Sequence, residues 1–441
     1  MATRRNFLKN SGALAAGLSV LSPQAMASVI HSAPSDRINI AAIGLGFGCA
    51  SLAGVLSNSW AHCTALCDVN RERLEERAVE FKTRFPEQTQ NMKLLKDFRE
   101  VLNNKDVDGV IIATPDHWHA YIFAEALKAG KAIYVEKPVA NSIAECNVMM
   151  DLQKKYNQVI STGLWQTSQQ YFRGANEILK TGVLGDVFKV HIFLCQGTNP
   201  RLATPDESPP NTLDYETWLG PAPRRPYNSG RVRGWRAFWD YGGGQQTDWG
   251  VHWVDSAFDG LEALGLNFRT YPKAVFSTAH KHPDTFNETP SVQTTIFEYD
   301  NFHIEWAQQV AHLYNRNQGV AWIGSKGVLV CNRNGYELIP QVTRDGVSEA
   351  QPYQMTGPHE HRGVLDHATN WGECIRNKTI ATNSPIEKGA FATILTHAAN
   401  ISFRTGSRVV YDPMSRKFVN NAAADAFLKP EYRSPWRFPV I

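Results

Sequence analysis

Long apolar runs, paired cysteines and clustered charge are what this 441-residue chain has little of. Beyond residue 27 no stretch approaches the ~20 consecutive apolar residues of a membrane helix, so the mature chain is expected to be soluble. The seven cysteines (Cys49, Cys63, Cys67, Cys146, Cys195, Cys331 and Cys374) contain no CxxC pair, no metal-ligand spacing and an odd count. A disulfide framework and a cysteine metal centre are therefore both unexpected, and no metal site is assigned. Cys63 and Cys67 read as small apolar residues on one strand, facing the same way. The formal net charge is +3, and no run of basic residues marks a nucleic-acid surface.

What is present begins with an address. Arg4 and Arg5, followed by Phe7, Leu8 and Lys9, an apolar stretch from Gly12 to Leu21 and the small-residue box Ala25-Met26-Ala27, have the order of a twin-arginine export signal over residues 1–27. A periplasmic protein, exported folded, is the expectation. The remaining length exceeds one ordinary domain of ~100–200 residues, so two are expected: 35–163 and 164–441.

From Ser35 the pattern alternates between buried strands (RINIAAIG, HCTALCD, DGVIIAT, KAIYVEK, QVISTG) and helices over Ala50–Asn58, Arg71–Arg84, Ala120–Ala129 and Ser142–Tyr156. Units of this length require a parallel sheet covered on both faces, the doubly wound α/β pattern, with ligands at the carboxyl ends of the strands. Gly44-Leu45-Gly46-Phe47-Gly48-Cys49 stands at the first such end, where glycines and a helix N-terminus receive a pyrophosphate. The third glycine falls one place early. Asp68 closes the second strand 24 residues after Gly44, placed to accept from ribose hydroxyls. NAD is the expected cofactor; Arg71 and Arg73 keep NADP open. The other reading of Asp68 is a cap for the helix at Arg71.

Two more strand ends carry polar residues, TPDHWHA after Thr114 and EKP after the strand KAIYV. The cofactor edge therefore comprises Gly44, Gly46, Phe47, Gly48, Asp68, Thr114, Pro115, His119, Glu136 and Lys137. Later, Thr247 to Leu264 reads as a helix on which Asp248 and His252, four apart, share a face that Asp255 and Asp259 continue as structural or solvated residues. Gly242, Gly243 and Gly244 before it permit close approach to the cofactor. Oxidising a secondary alcohol needs a base, and His252 suits it, with Asp248 as its orienting partner or a substrate ligand and Lys137 as the cation on the reacting oxygen. The alternative is a buried polar pair that anchors the second domain.

The stretches AIGLGFG, TPDHWHA, YVEKP and DYGGGQQTDWGVHWVD make the chain resemble the Gfo/Idh/MocA oxidoreductases, a family that includes inositol dehydrogenase and glucose-fructose oxidoreductase. LDYETWLGPAPRRPYN places the resemblance nearest its exported branch. The resemblance implies an N-terminal Rossmann domain, an α+β domain with a mostly antiparallel open sheet, a homodimer or homotetramer built on that sheet, and a catalytic triad of Lys137, Asp248 and His252.

The second half fits, with strands DVFKVHIFLC, KAVFSTAH, SVQTTIFEYD, FHIEWAQQV, GVAWIGS, GVLVCN and YELIP, and helices Gln169–Lys180, His361–Arg376 and Glu387–Arg404. Gln196 to Gly244 reads as a long functional loop. A sugar, glycoside or polyol substrate is expected, with Trp118, Trp165, Trp235 and Trp239 for stacking and Gln166, Arg173, Arg231, Arg233 and Gln245 for hydroxyls. Three functions share these residues: a redox enzyme with tightly bound nicotinamide, a redox-neutral NAD-dependent glycoside hydrolase, and a non-catalytic sugar or cofactor sensor.

Overall fold

Strand β1 (Ile38–Ile43) starts the first sheet in the computed structural model, which describes residues 37–195, 202–266, 269–308, 313–342, 344–346, 348, 350–358 and 362–441. The export segment expected over 1–27 lies outside the described residues. The chain then runs through α1 (Ala50–Leu56), β2 (Ala61–Cys67), α2 (Arg71–Arg84), β3 (Lys93–Leu95), α3 (Phe98–Asn103), β4 (Gly109–Ile112), α4 (His119–Lys128), β5 (Ala132–Val135), α5 (Ile143–Tyr156) and β6 (Ile160–Thr162). All six strands are parallel, in the order β3-β2-β1-β4-β5-β6. Strands β4 and β5 are buried at every residue, as their uninterrupted apolar sequences require when helices cover both faces. The winding reverses between β1 and β4, so a crevice opens there at the carboxyl ends.

One irregularity corrects the sequence reading. Ile40 pairs with Cys63 but Ala41 pairs with Ala65, so Thr64 bulges out of β2. The bulge turns Cys63 and Cys67 to opposite faces, and each packs in a different apolar cluster. All seven cysteines are free.

The second half contributes α6 (Gln170–Lys180), β7 (Val187–Leu194), α7 (Tyr215–Leu219), α8 (Ser229–Arg233), α9 (Gly244–Asp248), α10 (Gly250–Ala263), β8 (Ala274–His280), β9 (Val292–Glu298), β10 (His303–Gln308), β11 (Gln318–Gly324), β12 (Gly327–Asn332), β13 (Gly335–Pro340), β14 (Tyr353–Thr356), α11 (Arg362–Arg376) and α12 (Ile386–Thr405). These eight strands form one sheet, β14-β13-β12-β11-β7-β10-β9-β8, antiparallel except where β7 meets β10, and Tyr411–Asp412 pairs with Lys417–Phe418 in a separate two-stranded ladder. The fold is thus a Rossmann sheet followed by a mostly antiparallel α/β sheet, as expected. Strands β3 and β14 escaped the reading because neither carries an alternating apolar pattern; β14 is exposed throughout.

Two segments join the halves. Residues 202–244 are not structureless: α7, α8 and the turn Trp235–Ala237 gather Tyr215, Trp218, Leu219, Phe238 and Tyr241 into an apolar cluster of their own. The Trp118 indole N–H donates to the Trp218 carbonyl at 3.1 Å, tying this segment to the first sheet. Helix α11 returns to the first sheet, where Trp371 packs edge-on to Tyr134 at 5.8 Å. Gly54 makes room for it: a Cβ there would lie 2.8 Å from that of Ala368. The second half therefore supplies part of the first sheet's cover. Replacing the fully buried Trp371 by Ala is expected to cost about 3–5 kcal/mol, read by denaturant unfolding. Loss below about 1 kcal/mol would show that α11 does not support the first sheet.

Candidate active site

The glycine turn uses each glycine differently. Gly44 has φ +86°, and a Cβ there would sit 2.6 Å from the backbone of Ala113 and Thr114, so it lets the ends of β1 and β4 touch. Gly46 faces open space, with no atom within 4 Å of a Cβ built on it. At Gly48 a Cβ would lie 2.8 Å from Cγ of Glu136. The early third glycine thus has a cause. A single 3₁₀ turn, Phe47–Cys49, precedes α1, and its middle residue has to clear a buried glutamate.

Asp68 lines the crevice beside this turn. Its Oδ2 accepts from the Leu45 N–H and its Oδ1 from the Asn70 N–H, both at 2.8 Å. Burial raises its carboxyl pKa, opposed by the Arg73 guanidinium 3.8 Å away. Asn70, rather than Asp68, caps α2 by accepting from the Arg73 N–H. Glu136 is held by the Ser51 hydroxyl at 2.8 Å, and burial raises its pKa too. His119 is a pin: its ring nitrogens lie 2.8 Å from the Pro138 carbonyl and 2.9 Å from that of Thr114. Burial pushes its pKa down to about 4.

The crevice continues into a cavity of about 730 Å³ that all the expected cofactor residues line, Phe47, Thr114 and Pro115 included. Lys137 Nζ donates to Asp248 Oδ1 at 2.6 Å and to its carbonyl at 2.8 Å. Arg236 Nε approaches the same Oδ1 at 3.1 Å. Burial alone would raise the Asp248 pKa, but Arg236 and Lys137 outweigh it and hold the carboxyl well below its ordinary range.

His252 meets this group from another helix. The single helix expected over 247–264 is broken at Trp249, with Asp248 ending α9 and His252 in the first turn of α10. Burial, then the charges of Lys137 and Arg333, drive the His252 pKa well below 6.5 and keep the ring neutral. Its Nδ1 is buried with no partner in the described protein, so Asp248 serves Lys137 and Arg236 and does not orient the imidazole. Asp255 and Asp259 meet Arg269 at 3.1 and 2.5 Å and Lys388 at 3.6 and 2.7 Å, a buried structural cluster. The three glycines also find a different use. Side chains there would strike Arg236, Thr247 and Thr289, so they fit the protein's own segments rather than a cofactor.

Of the expected substrate residues, Trp118, Trp165, Arg233 and Trp235 line the cavity, whereas Gln166, Gln245, Trp239, Arg173 and Arg231 do not. Gln166 stands behind it, donating to Ser256 Oγ at 2.8 Å and accepting from Arg333. Arg236 and Arg333 were missed, the first inside an arginine-rich segment with no periodicity, the second in a turn between strands. Among the described residues no group of three His, Cys, Asp or Glu is placed to hold a metal.

Residues 38–164 match the model of an oxidoreductase family with an NAD-binding Rossmann fold, and residues 171–327 match that family's C-terminal alpha/beta domain. The chain belongs to the Gfo/Idh/MocA oxidoreductase family. NAD-type nicotinamide is its cofactor, and the open space at Gly46 beside Asp68 fits a dinucleotide. Glycosyl hydrolase family 109 protein 1 of Shewanella sp. (strain ANA-3) is 31% identical over 169 residues, 34% of this chain. The chain spans only 37% of that relative's length. Levoglucosan dehydrogenase, solved with NADH and levoglucosan, superposes with a TM-score of 0.62 at 18% identity, covering 85% of this chain and 99% of its own. The WlbA dehydrogenase of Bordetella pertussis, solved with NADH and UDP-GlcNAcA, gives 0.60 at 16% identity over 85% and 99%. At these identities the shared feature is the fold.

Gly44→Ala is expected to cost about 1–3 kcal/mol of stability through its left-handed backbone. Gly46→Ala, with no clash to make, should keep the melting temperature and weaken NAD binding. Thermal unfolding with and without NAD checks both, and equal behaviour of the two variants would refute the division of roles.

Proposed function

We propose that this protein oxidises a secondary hydroxyl of a sugar, glycoside or polyol, with a nicotinamide held tightly in the crevice. The observation that carries this reading is a neutral, buried imidazole on the same cavity wall as a lysine–aspartate pair, at the end of a dinucleotide crevice. Bound there, the nicotinamide supplies a hydride acceptor. Lys137, anchored by two contacts to Asp248, donates to the reacting oxygen and favours it as negative charge develops. His252 takes the hydroxyl proton, which a ring held neutral by burial is ready to do. Asp248 and Arg236 keep the lysine aimed, and Thr217 and Trp218 line the crevice.

Relatives named as glycosyl hydrolases favour a second reading, transient oxidation followed by elimination, hydration and re-reduction, which uses the same three residues. A glycoside cleaved without net oxidation would identify it. A sensor would keep its ligand response after Lys137→Ala. The twin-arginine order at the N-terminus supports export of the folded, cofactor-loaded protein to the periplasm. Membership of the family supports a homodimer or homotetramer built on the second sheet.

Ultraviolet and fluorescence spectra of the purified protein, before and after acid release, should show stoichiometric nicotinamide that an added sugar reduces in place. Lys137→Ala is expected to lower that rate about 10²–10³-fold. An empty protein with weak NAD affinity would refute the tightly held cofactor.

The pH dependence follows from burial. Because the His252 pKa is lowered, the base form persists through neutral pH and is lost only as pH falls through the depressed value. The acid limb of kcat/KM is therefore expected below pH 6.5 and should vanish in His252→Asn. A limb at or above 6.5 would remove His252 from the role of base.

A further inference from the structure

Among the described residues, Arg73, Lys96, Lys137, Arg233, Arg236 and Arg333 are the lysines and arginines that line the cavity, and Arg333 alone is buried. Lys137 and Arg236 share Asp248, and Arg73 faces Asp68. Arg333, in the turn between β12 and β13, makes no salt bridge among the described residues, and the charge of Asp248, already paired with Lys137 and Arg236, only partly offsets its burial. Its Nε and Nη2 both donate to one neutral acceptor, Gln166 Oε1, at 3.0 and 2.8 Å. The guanidinium lies 4.5 Å from the ring centre of Trp165 and 4.7 Å from that of Trp249. Aromatic faces attract a cation without neutralising it, and a buried charge left in that condition is costly. Burial pushes the Arg333 pKa down to about 9.

Two orphaned atoms accompany it. Gln318 lines the same cavity, and its side-chain carbonyl oxygen is buried without a partner among the described residues. Val320 opposite Cys331 in the β11–β12 register brings Gln318 and Arg333 to the same end of the sheet. His252 Nδ1 is likewise unpartnered, and its ring is 6.0 Å from that of Trp165, the residue beneath the guanidinium.

From this arrangement we infer that the substrate is a sugar acid, whose single carboxylate binds Arg333 while a hydroxyl donates to Gln318. The inference rests on the proposed oxidation of a carbohydrate and names its class. A planar guanidinium matches a planar carboxylate, and one buried cation without a salt bridge matches one negative charge. A phosphate dianion calls for a second buried cation; Lys137 and Arg236 are committed to Asp248, and Lys96 and Arg233, the other cations of the lining beside Arg73, are exposed.

The test titrates the NAD-loaded protein, by tryptophan fluorescence, with glucuronate, galacturonate, their methyl esters, glucose, galactose and glucose 6-phosphate, while absorbance at 340 nm is recorded on the same samples. The free acids are expected to bind at least tenfold more tightly than the esters and neutral hexoses. Arg333→Gln should erase that preference and Arg333→Lys should keep part of it. If the glutamine variant fails to fold, acid against methyl ester on the unaltered protein decides the matter. No preference for the acids overturns the inference, and tightest binding of the phosphate overturns the carboxylate. Acid binding with no 340 nm response refutes the oxidation and leaves the anion site standing. Reduction by hexoses without acid preference does the reverse.

Discussion

The contact on which the site depends is the 2.6 Å bond between Lys137 and Asp248. Neither charge can leave water alone at acceptable cost, and each comes from a different half of the chain. Lys137 follows β5 of the first sheet, whereas Asp248 ends a short helix in front of the second. Desolvation makes their separation expensive, so the ion pair that, in the proposed reaction, aims a cation at the substrate also holds the two halves in register across the cavity. Arg236 adds a second cation from the segment 202–244, which brings that segment into the same arrangement. Three stretches of sequence with no regular element in common are thereby fixed by one carboxylate.

Having two cations to itself, Asp248 is unavailable to His252. The imidazole is left with burial and two nearby positive charges, Lys137 and Arg333, all of which disfavour its protonated form. A catalytic histidine is often tuned upward by a carboxylate that stabilises its imidazolium. Here the opposite applies, and the ring is kept neutral first by burial and then by the positive charges beside it. An anion bound at Arg333 would relieve part of that pressure and raise the basicity of His252.

Much of this was legible before any coordinates. Periodicity placed the strands of both sheets except β3 and β14, and a glycine turn, a proline after Lys137 and an aspartate ending β2 located the crevice, because strand ends in a doubly wound sheet are few. What escaped has physical causes. The bulge at Thr64 leaves no mark in an apolar run, since Cys63 and Cys67 are small enough for either face. The break at Trp249 is not announced by a proline, and spacing by four is compatible with one helix or two. Arg333 sits in Asn332-Arg333-Asn334-Gly335, which reads as a hairpin turn with a solvated charge; only the tertiary fold puts tryptophans around it.

The glycines show the same limit more sharply. Gly44, Gly46 and Gly48 look equivalent in a motif, yet one permits contact between strands, one leaves room for a ligand, and one clears Glu136. Gly242 to Gly244 look like a cofactor approach and instead accommodate Arg236, Thr247 and Thr289. A glycine in sequence says that a side chain is unwelcome; whether the neighbour is backbone, ligand or another side chain is decided by the fold. For this site that distinction matters, because the single glycine of the turn that faces empty space is the one at which a pyrophosphate can reach the backbone N–H groups.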